Sequence, residues 1–256
     1  MKSLLKKFFK SNPAVQPNCP QGSRIYCIGD IHGRADLLQA LHGQILEHAG
    51  NYTGKKTIIY LGDYIDRGEQ SKQVIELLIN QPLPSFDTIY LRGNHEQTLL
   101  DFLIQAEVGP SWFQFGGLQT LVSYGVRYSK IPTSKRDLQA LQADLRKCIP
   151  AEHLTFLEKT RISYSAGSYY FVHAGVNPRI ALEQQVPEDL LWIRGAFVEH
   201  EKPFEKIIVH GHTITEQPDF QDNRIGIDTG AYLSGRLSCL VLEDDKQHIL
   251  QSGAHA

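Results

Sequence analysis

The chain has 256 residues, 41% of them hydrophobic and 21% charged, with a formal net charge of −2. That length buries a full core and suits one large α/β domain or two small ones. The near-neutral balance lacks the basic footprint of a nucleic-acid-binding protein, and no run approaches the ~20 apolar residues that cross a bilayer.

At the start of the chain, Met1, Leu4, Leu5, Phe8 and Phe9 fall on one helical face, and Lys2, Lys6, Lys7 and Lys10 fall elsewhere. Lysines break the apolar run, so it is not a signal peptide. The ordinary reading is a solvated tail or a short helix docked on the protein; the alternative is a basic amphipathic segment in weak contact with an anionic membrane surface. Residues 11–23 carry Pro13, Pro17, Pro20 and Gly22 and read as a linker. The expected division is a basic segment and linker over 1–23 and one domain over 24–256.

Residues 24–31, 56–63 and 88–94 read as buried strands, with helical periodicity over 34–49 and 70–80 between them. Strands alternating with helices predict βαβ units and a parallel sheet. Residues 96–161 read as a mostly helical block, with helices over 137–149 and directly after Pro150. Trp112, Phe113 and Phe115 read as core of that block. Four more strands are expected over 169–173, 206–211, 223–228 and 237–243. The four cysteines, Cys19, Cys27, Cys148 and Cys239, form no C-x-x-C pair. They read as reduced thiols of a cytoplasmic protein, three of them buried.

Five polar clusters each follow directly on an apolar strand: GDIHG (29–33), GDYIDRG (62–68), RGNHE (92–96), HAG (173–175) and HGH (210–212). In open α/β sheets ligands bind outside the carboxyl ends of strands, so clusters far apart in sequence are expected to meet at one edge. Asp30 and His32 lie on one side of an extended segment and can chelate one divalent cation. Asp63 can supply an oxygen to each of two metals. Asn94 offers an amide oxygen, and His173 and His212 offer ring nitrogens. Mixed nitrogen and oxygen donors without thiolate suit manganese, iron or zinc more than calcium or magnesium. Singly, each residue has an ordinary reading: a histidine after a strand is usually structural, and a lone Gly-Asp is a turn. The specificity lies in the joint order of all five clusters.

In these motifs the sequence resembles the phosphoprotein phosphatase branch of the calcineurin-like metallophosphoesterases, of the bacterial and phage type similar to bacteriophage lambda phosphatase, over roughly residues 24–243. The resemblance implies an α/β fold in which a β-sandwich is flanked by helices and carries a helical insertion. It implies two divalent metal ions, Mn2+ foremost, with Zn2+ or Fe as alternatives. Carried over motif by motif, Asp30 and His32 hold the first metal, Asp63 bridges the two, and Asn94, His173 and His212 complete the second. His95 matches the general acid and Asp66 the carboxylate that orients it. Arg67 matches a phosphate-binding arginine, and Arg194 in LLWIRG resembles the second one by a looser match. The implied chemistry is attack on a phosphomonoester by a hydroxide held between the metals, without a covalent phosphoenzyme. Ile214 stands two residues after His212, where many metallophosphoesterases have a further ligating histidine. It cannot ligate, which fits the phosphatase branch rather than nuclease-like ones.

The function expected from this resemblance is a protein serine/threonine phosphatase acting on phosphorylated protein or a small phosphoester. The alternative is a nucleotide hydrolase resembling the diadenosine tetraphosphatases, or a polyphosphate hydrolase, since those relatives share the metal motifs. A different class is an inactive phosphate-binding module. Such a module would be expected to have lost a ligand or the acid, and here every one of these residues is present.

Overall fold

The computed structural model describes residues 15–253, so the amphipathic stretch 1–10 lies outside the described residues. Strand β1 (Ser23–Ile28), helix α1 (Ala35–Ala49), β2 (Lys55–Tyr60), α2 (Ser71–Asn80) and β3 (Asp87–Tyr90) form two successive βαβ units. β1 pairs with β2, and β2 with β3, in parallel. Helix α1 shows why the chain folds this way locally. Leu37, Leu38, Leu41, Ile45 and Ala49 recur on one face and are buried, as an amphipathic helix laid on a sheet requires.

The helical block follows as α3 (Asn94–Ile104), α4 (Gly109–Gln114), α5 (Gly117–Ser123), α6 (Lys135–Cys148) and α7 (Ala151–Glu158). Ser134 caps α6, its side chain accepting from the Asp137 N–H. The remainder is β4 (Ser163–Ala166), β5 (Tyr169–Val172), α8 (Pro187–Trp192), α9 (Gly195–Val198), β6 (Ile207–His210), β7 (Asp219–Phe220), β8 (Arg224–Gly226), α10 (Ala231–Ser234), β9 (Arg236–Glu243) and β10 (Lys246–Gly253).

The one parallel sheet predicted by strand–helix alternation is in fact two mixed five-stranded sheets, ordered β10-β9-β1-β2-β3 and β4-β5-β6-β8-β7. Strands β9 and β10 fold back antiparallel beside β1, while β5, β6 and β8 form a second parallel set. Side chains alternate between the faces of a strand, and β1 shows the consequence. Ile25 and Cys27 point into a core shared with Phe171, Val209, Ile225 and Leu240 of the other strands, between the sheets. Tyr26 and Ile28 belong to the core under α1 and α2. On the far face of the second sheet, Tyr170, Val172 and Ile208 pack with Leu190 and Phe197 of α8 and α9. The layers are therefore helices, sheet, sheet, helices, which is the sandwich flanked by helices that the motif resemblance implied.

Cys19, Cys27 and Cys239 are buried and Cys148 is exposed, all as free thiols. The described part of the expected linker is docked rather than loose. Val15 and Cys19 pack into the intersheet core, and the Cys19 N–H donates to the Asp244 carbonyl at 2.7 Å. Among the described residues, no helix is long and apolar enough to cross a membrane.

Candidate metal centre

The parallel sets β1-β2-β3 and β5-β6-β8 bring their carboxyl ends to one edge of the sandwich. Asp30 follows β1, His212 follows β6, and the His212 N–H donates to Asp30 Oδ2 at 2.9 Å. That approach needs Gly211, because a Cβ there would collide with Asp30 Oδ1. Asp63 follows β2. Its Oδ2 lies 3.4 Å from His32 Nε2, and its Oδ1 lies 3.4 Å from His173 Nε2. His173 Nε2 is also 2.8 Å from Asn94 Oδ1 and 3.2 Å from His212 Nδ1. All six residues expected as ligands are thus brought together. Two groups that could each hold a metal ion share Asp63: His32, Asp63 and His95 on one side, and Asp63, His173 and His212 on the other.

The protonation of the cluster follows from its burial. His32 Nδ1 donates to the Ile65 carbonyl at 2.9 Å and His173 Nδ1 to the Leu61 carbonyl at 3.0 Å. Each bond fixes a tautomer whose Nε2 lone pair is left for the centre. Burial pushes His32 and His173 well below the usual imidazole range and His212 down to about 3. Burial also raises Asp63 to about 8, and raises Asp30 well above the carboxylate range with the Asp228 and Asp63 charges adding to it. Acids that resist ionisation stand beside imidazoles that resist protonation. Asp30 Oδ1 and His212 Nε2 are buried without a hydrogen-bond partner. This donor set fits divalent cations.

His95 begins α3 beside Asp63, its backbone N–H donating to Asp63 Oδ1 at 3.2 Å. Its ring Nδ1 donates to Asp66 Oδ2 at 2.7 Å. Burial alone would lower the His95 imidazole. The Asp63 charge, the hydrogen bond to Asp66 and the Asp66 charge outweigh burial and lift it to about 9. Arg67 is half-buried, with its guanidinium 5.1 Å over the Tyr232 ring and Nη1 donating to the Tyr232 hydroxyl at 3.3 Å. Arg194 is more exposed, and its Nη1 donates to the His212 carbonyl at 3.0 Å. Ile214 is 46% exposed and packs beside Gly230.

Five site residues hold left-handed backbone: His32 (φ 46°), Asp63 (φ 50°), Asp66 (φ 68°), Arg67 (φ 68°) and His212 (φ 62°). Such conformations cost about 1–3 kcal/mol each and persist only where the surroundings over-determine them. Glu96 is part of that determination. Its Oε2 accepts from the Asp63 and Gly93 N–H groups at 2.8 and 2.9 Å, and its Oε1 accepts from those of Tyr64 and Ile65 at 2.8 and 3.4 Å. Glu96 stands inside the RGNHE cluster, yet the sequence reading gave it no role. Asp228 was missed as well. It lies just past β8, is 2% exposed, accepts from the Gly230 N–H at 2.8 Å and is raised to about 6 by burial. Its signal was available, because GIDTG (226–230) is a polar cluster after a strand like the others. Trp112 and Phe113 are core, as expected, whereas Phe115 is exposed; the Trp112 indole also donates to Asp66 at 2.8 Å. Thr120 and Tyr232 carried no sequence signal.

Residues 23–238 match the model of the calcineurin-like phosphoesterase family. The chain belongs to that family, and it is a metal-dependent phosphoesterase of the hydrolase class. Among similar proteins is a bis(5'-nucleosyl)-tetraphosphatase of the asymmetrical type, PrpE, from Bacillus mycoides. It is 24% identical over 233 residues, covering 83% of this chain and 88% of its own. The crystal structure of a protein assigned as a diadenosine tetraphosphatase superposes with a TM-score of 0.61 at 19% identity, covering 96% of this chain and 100% of that one. A cold-active protein tyrosine phosphatase does so at 0.58 and 16%, covering 91% and 81%. At these identities the structural likenesses speak for the fold alone. The named sequence relatives are tetraphosphatases rather than phosphatases of the lambda type.

Proposed function

We propose that the chain hydrolyses dinucleoside polyphosphates asymmetrically at a two-metal centre. Asp30, His32 and Asp63 would hold one cation, and Asp63, Asn94, His173 and His212 the other. Bound there, two divalent cations neutralise phosphate charge and supply hydroxide at neutral pH. The donor types match manganese, with zinc or iron held by the same set.

The remaining work falls to side chains. Arg67 and Arg194 bind non-bridging phosphoryl oxygens through charge-assisted hydrogen bonds. Tyr232 orients Arg67 by its ring face and its hydroxyl. Protonated His95 gives its Nε2 proton to the departing oxygen, while Asp66 keeps the ring charged and aligned. The observation that carries the two-metal reading is Asp63, whose two carboxylate oxygens lie 3.4 Å from His32 at the end of the first sheet and from His173 at the end of the second, so that one residue belongs to both groups that could hold a cation.

For the substrate, the similarity to a tetraphosphatase over 83% of this chain supports the dinucleotide. A second reading is hydrolysis of phosphoserine or phosphothreonine in protein, favoured by the fully built His95–Asp66 pair at 2.7 Å. A serine alkoxide needs a proton on departure far more than a nucleotide anion does. The test is kcat/KM of metal-reconstituted protein on diadenosine tetraphosphate and on a phosphoserine/phosphothreonine peptide set. The dinucleotide is expected to be preferred and to yield a nucleoside triphosphate and a monophosphate. Turnover of peptides with none of the dinucleotide would replace the first reading by the second.

A further inference from the structure

A cavity of about 640 Å³ opens between α2 and α5, lined chiefly by Glu69, Gln73, Leu118, Gln119, Val122 and Tyr128. No residue proposed as a metal ligand or acid lines it. It is nonetheless coupled to the phosphate-binding side of the centre. Glu69 lies two residues past Arg67. The Gly116 carbonyl accepts from the Arg67 N–H at 3.3 Å and from the Gln119 N–H at 3.2 Å. The first turn of α5, which carries the cavity's wall, is therefore fastened to the backbone of Arg67.

The lining has the chemistry of a base site. Leu118 and Val122 stand four residues apart on α5, on one face of the helix, and Val122 is 59% exposed. Tyr128 adds an aromatic ring. Glu69 contributes acceptor oxygens, and Gln73 and Gln119 contribute amides that both donate and accept. An apolar wall with a few convergent polar groups is the usual make-up of a small-molecule pocket, and the volume falls in the usual range of about 300–1,000 Å³. The Glu69 carboxylate disfavours a phosphate group here but accepts from an exocyclic amine.

We propose that this cavity is the subsite for the aminopurine base of the nucleoside whose phosphate is held at Arg67. The base lies against Leu118, Val122 and Tyr128, and its amine donates to Glu69. This rests on the dinucleotide reading of the metal centre, and it names the part of the chain that selects a nucleotide over a plain phosphoester.

The test uses the full-length chain reconstituted with Mn2+ and follows p-nitrophenyl phosphate hydrolysis inhibited by AMP or by inorganic phosphate. AMP is expected to inhibit about tenfold more tightly than phosphate, and Tyr128→Ala to raise the AMP inhibition constant by about tenfold, the scale of one lost base–aromatic stack. The phosphate constant and p-nitrophenyl phosphate turnover should not change. Tyr128→Phe should retain AMP affinity, which separates ring stacking from damage to the fold. AMP inhibiting no more tightly than phosphate, or an AMP constant unmoved by Tyr128→Ala, would overturn the subsite. Wild-type turnover of diadenosine tetraphosphate is read separately. Selective AMP binding without dinucleotide turnover overturns the dinucleotide reading alone, and turnover with Tyr128-insensitive AMP inhibition overturns the subsite alone.

Discussion

The Asp66 carboxylate accepts the Nδ1–H of His95 at 2.7 Å while Trp112 Nε1 and Thr120 Oγ1 hold its two oxygens at 2.8 and 2.5 Å. A carboxylate so anchored can do little except align the imidazole. His95→Asn should therefore keep its metals and lose about 10²–10⁴-fold in kcat on alkyl phosphates. The loss on p-nitrophenyl phosphate should be smaller, because that leaving group barely needs a proton. Equal losses on both substrates would remove His95 from the role of acid.

Stability of the metal-free protein should fall between pH 7 and pH 9. Burial raises Asp63 to about 8, so the folded state holds a proton that the unfolded chain has released above about pH 4. His95 is lifted to about 9; its contribution is complete below the unfolded value near 6.5 and is lost as pH rises through 9. The depressed imidazoles of His32, His173 and His212 are neutral in both states above about pH 6.5 and add no slope there. Asp30, also raised well above the carboxylate range by burial, adds in the same direction, so the Asp63, Asp30 and His95 contributions all carry the same sign. Thermal midpoints of chelator-treated protein across this range check the trend. Excess Mn2+ should weaken or reverse it, because cation binding displaces the protons.

Glu96→Gln replaces an acceptor oxygen with an NH2 group facing backbone N–H donors. The variant should lose about 2–3 kcal/mol, the range for hydrogen bonds to a charged group and for donors left unsatisfied. Urea midpoints at constant slope read that loss. Metal content should fall with it, since Glu96 fixes the backbone of Asp63. Wild-type stability with full metal content would show that the Asp63 turn holds without Glu96.

Asp63→Asn should lower bound metal from two equivalents, as read by elemental analysis after gel filtration, while Arg194→Ala should leave metal content intact and raise KM. A full metal complement in Asp63→Asn would place the bridge elsewhere.

The strand–helix order of the first half and the edge at which the motifs gather were legible because apolar runs and polar clusters occur in strict succession. The division into two sheets was not, since the apolar run in β1 is the same whichever sheet it joins. Strands β4 and β10 escaped notice for a related reason: SYSA and KQHILQSG lack a continuous apolar run and sit at sheet edges. Within the site, the residues picked for their donor type do lie together at one edge. Glu96 serves backbone N–H groups brought near it by a turn elsewhere in the chain. Thr120 reaches Asp66 across 54 residues. Neither relationship leaves a mark in local sequence.

The hydrogen bond between His212 and Asp30 joins positions 182 apart. During synthesis, Asp30, His32, Asp63 and Asn94 leave the ribosome long before the histidines that face them. Contacts so distant must wait until the intervening chain has folded and the loop between them has closed. A partly made chain thus carries His32, Asp63 and His95 but lacks His173 and His212, and the second group is assembled only when the second sheet docks on the first. Under the proposed two-metal reading, a chain that has not yet brought His173 and His212 to the edge lacks the imidazoles of the second cation site.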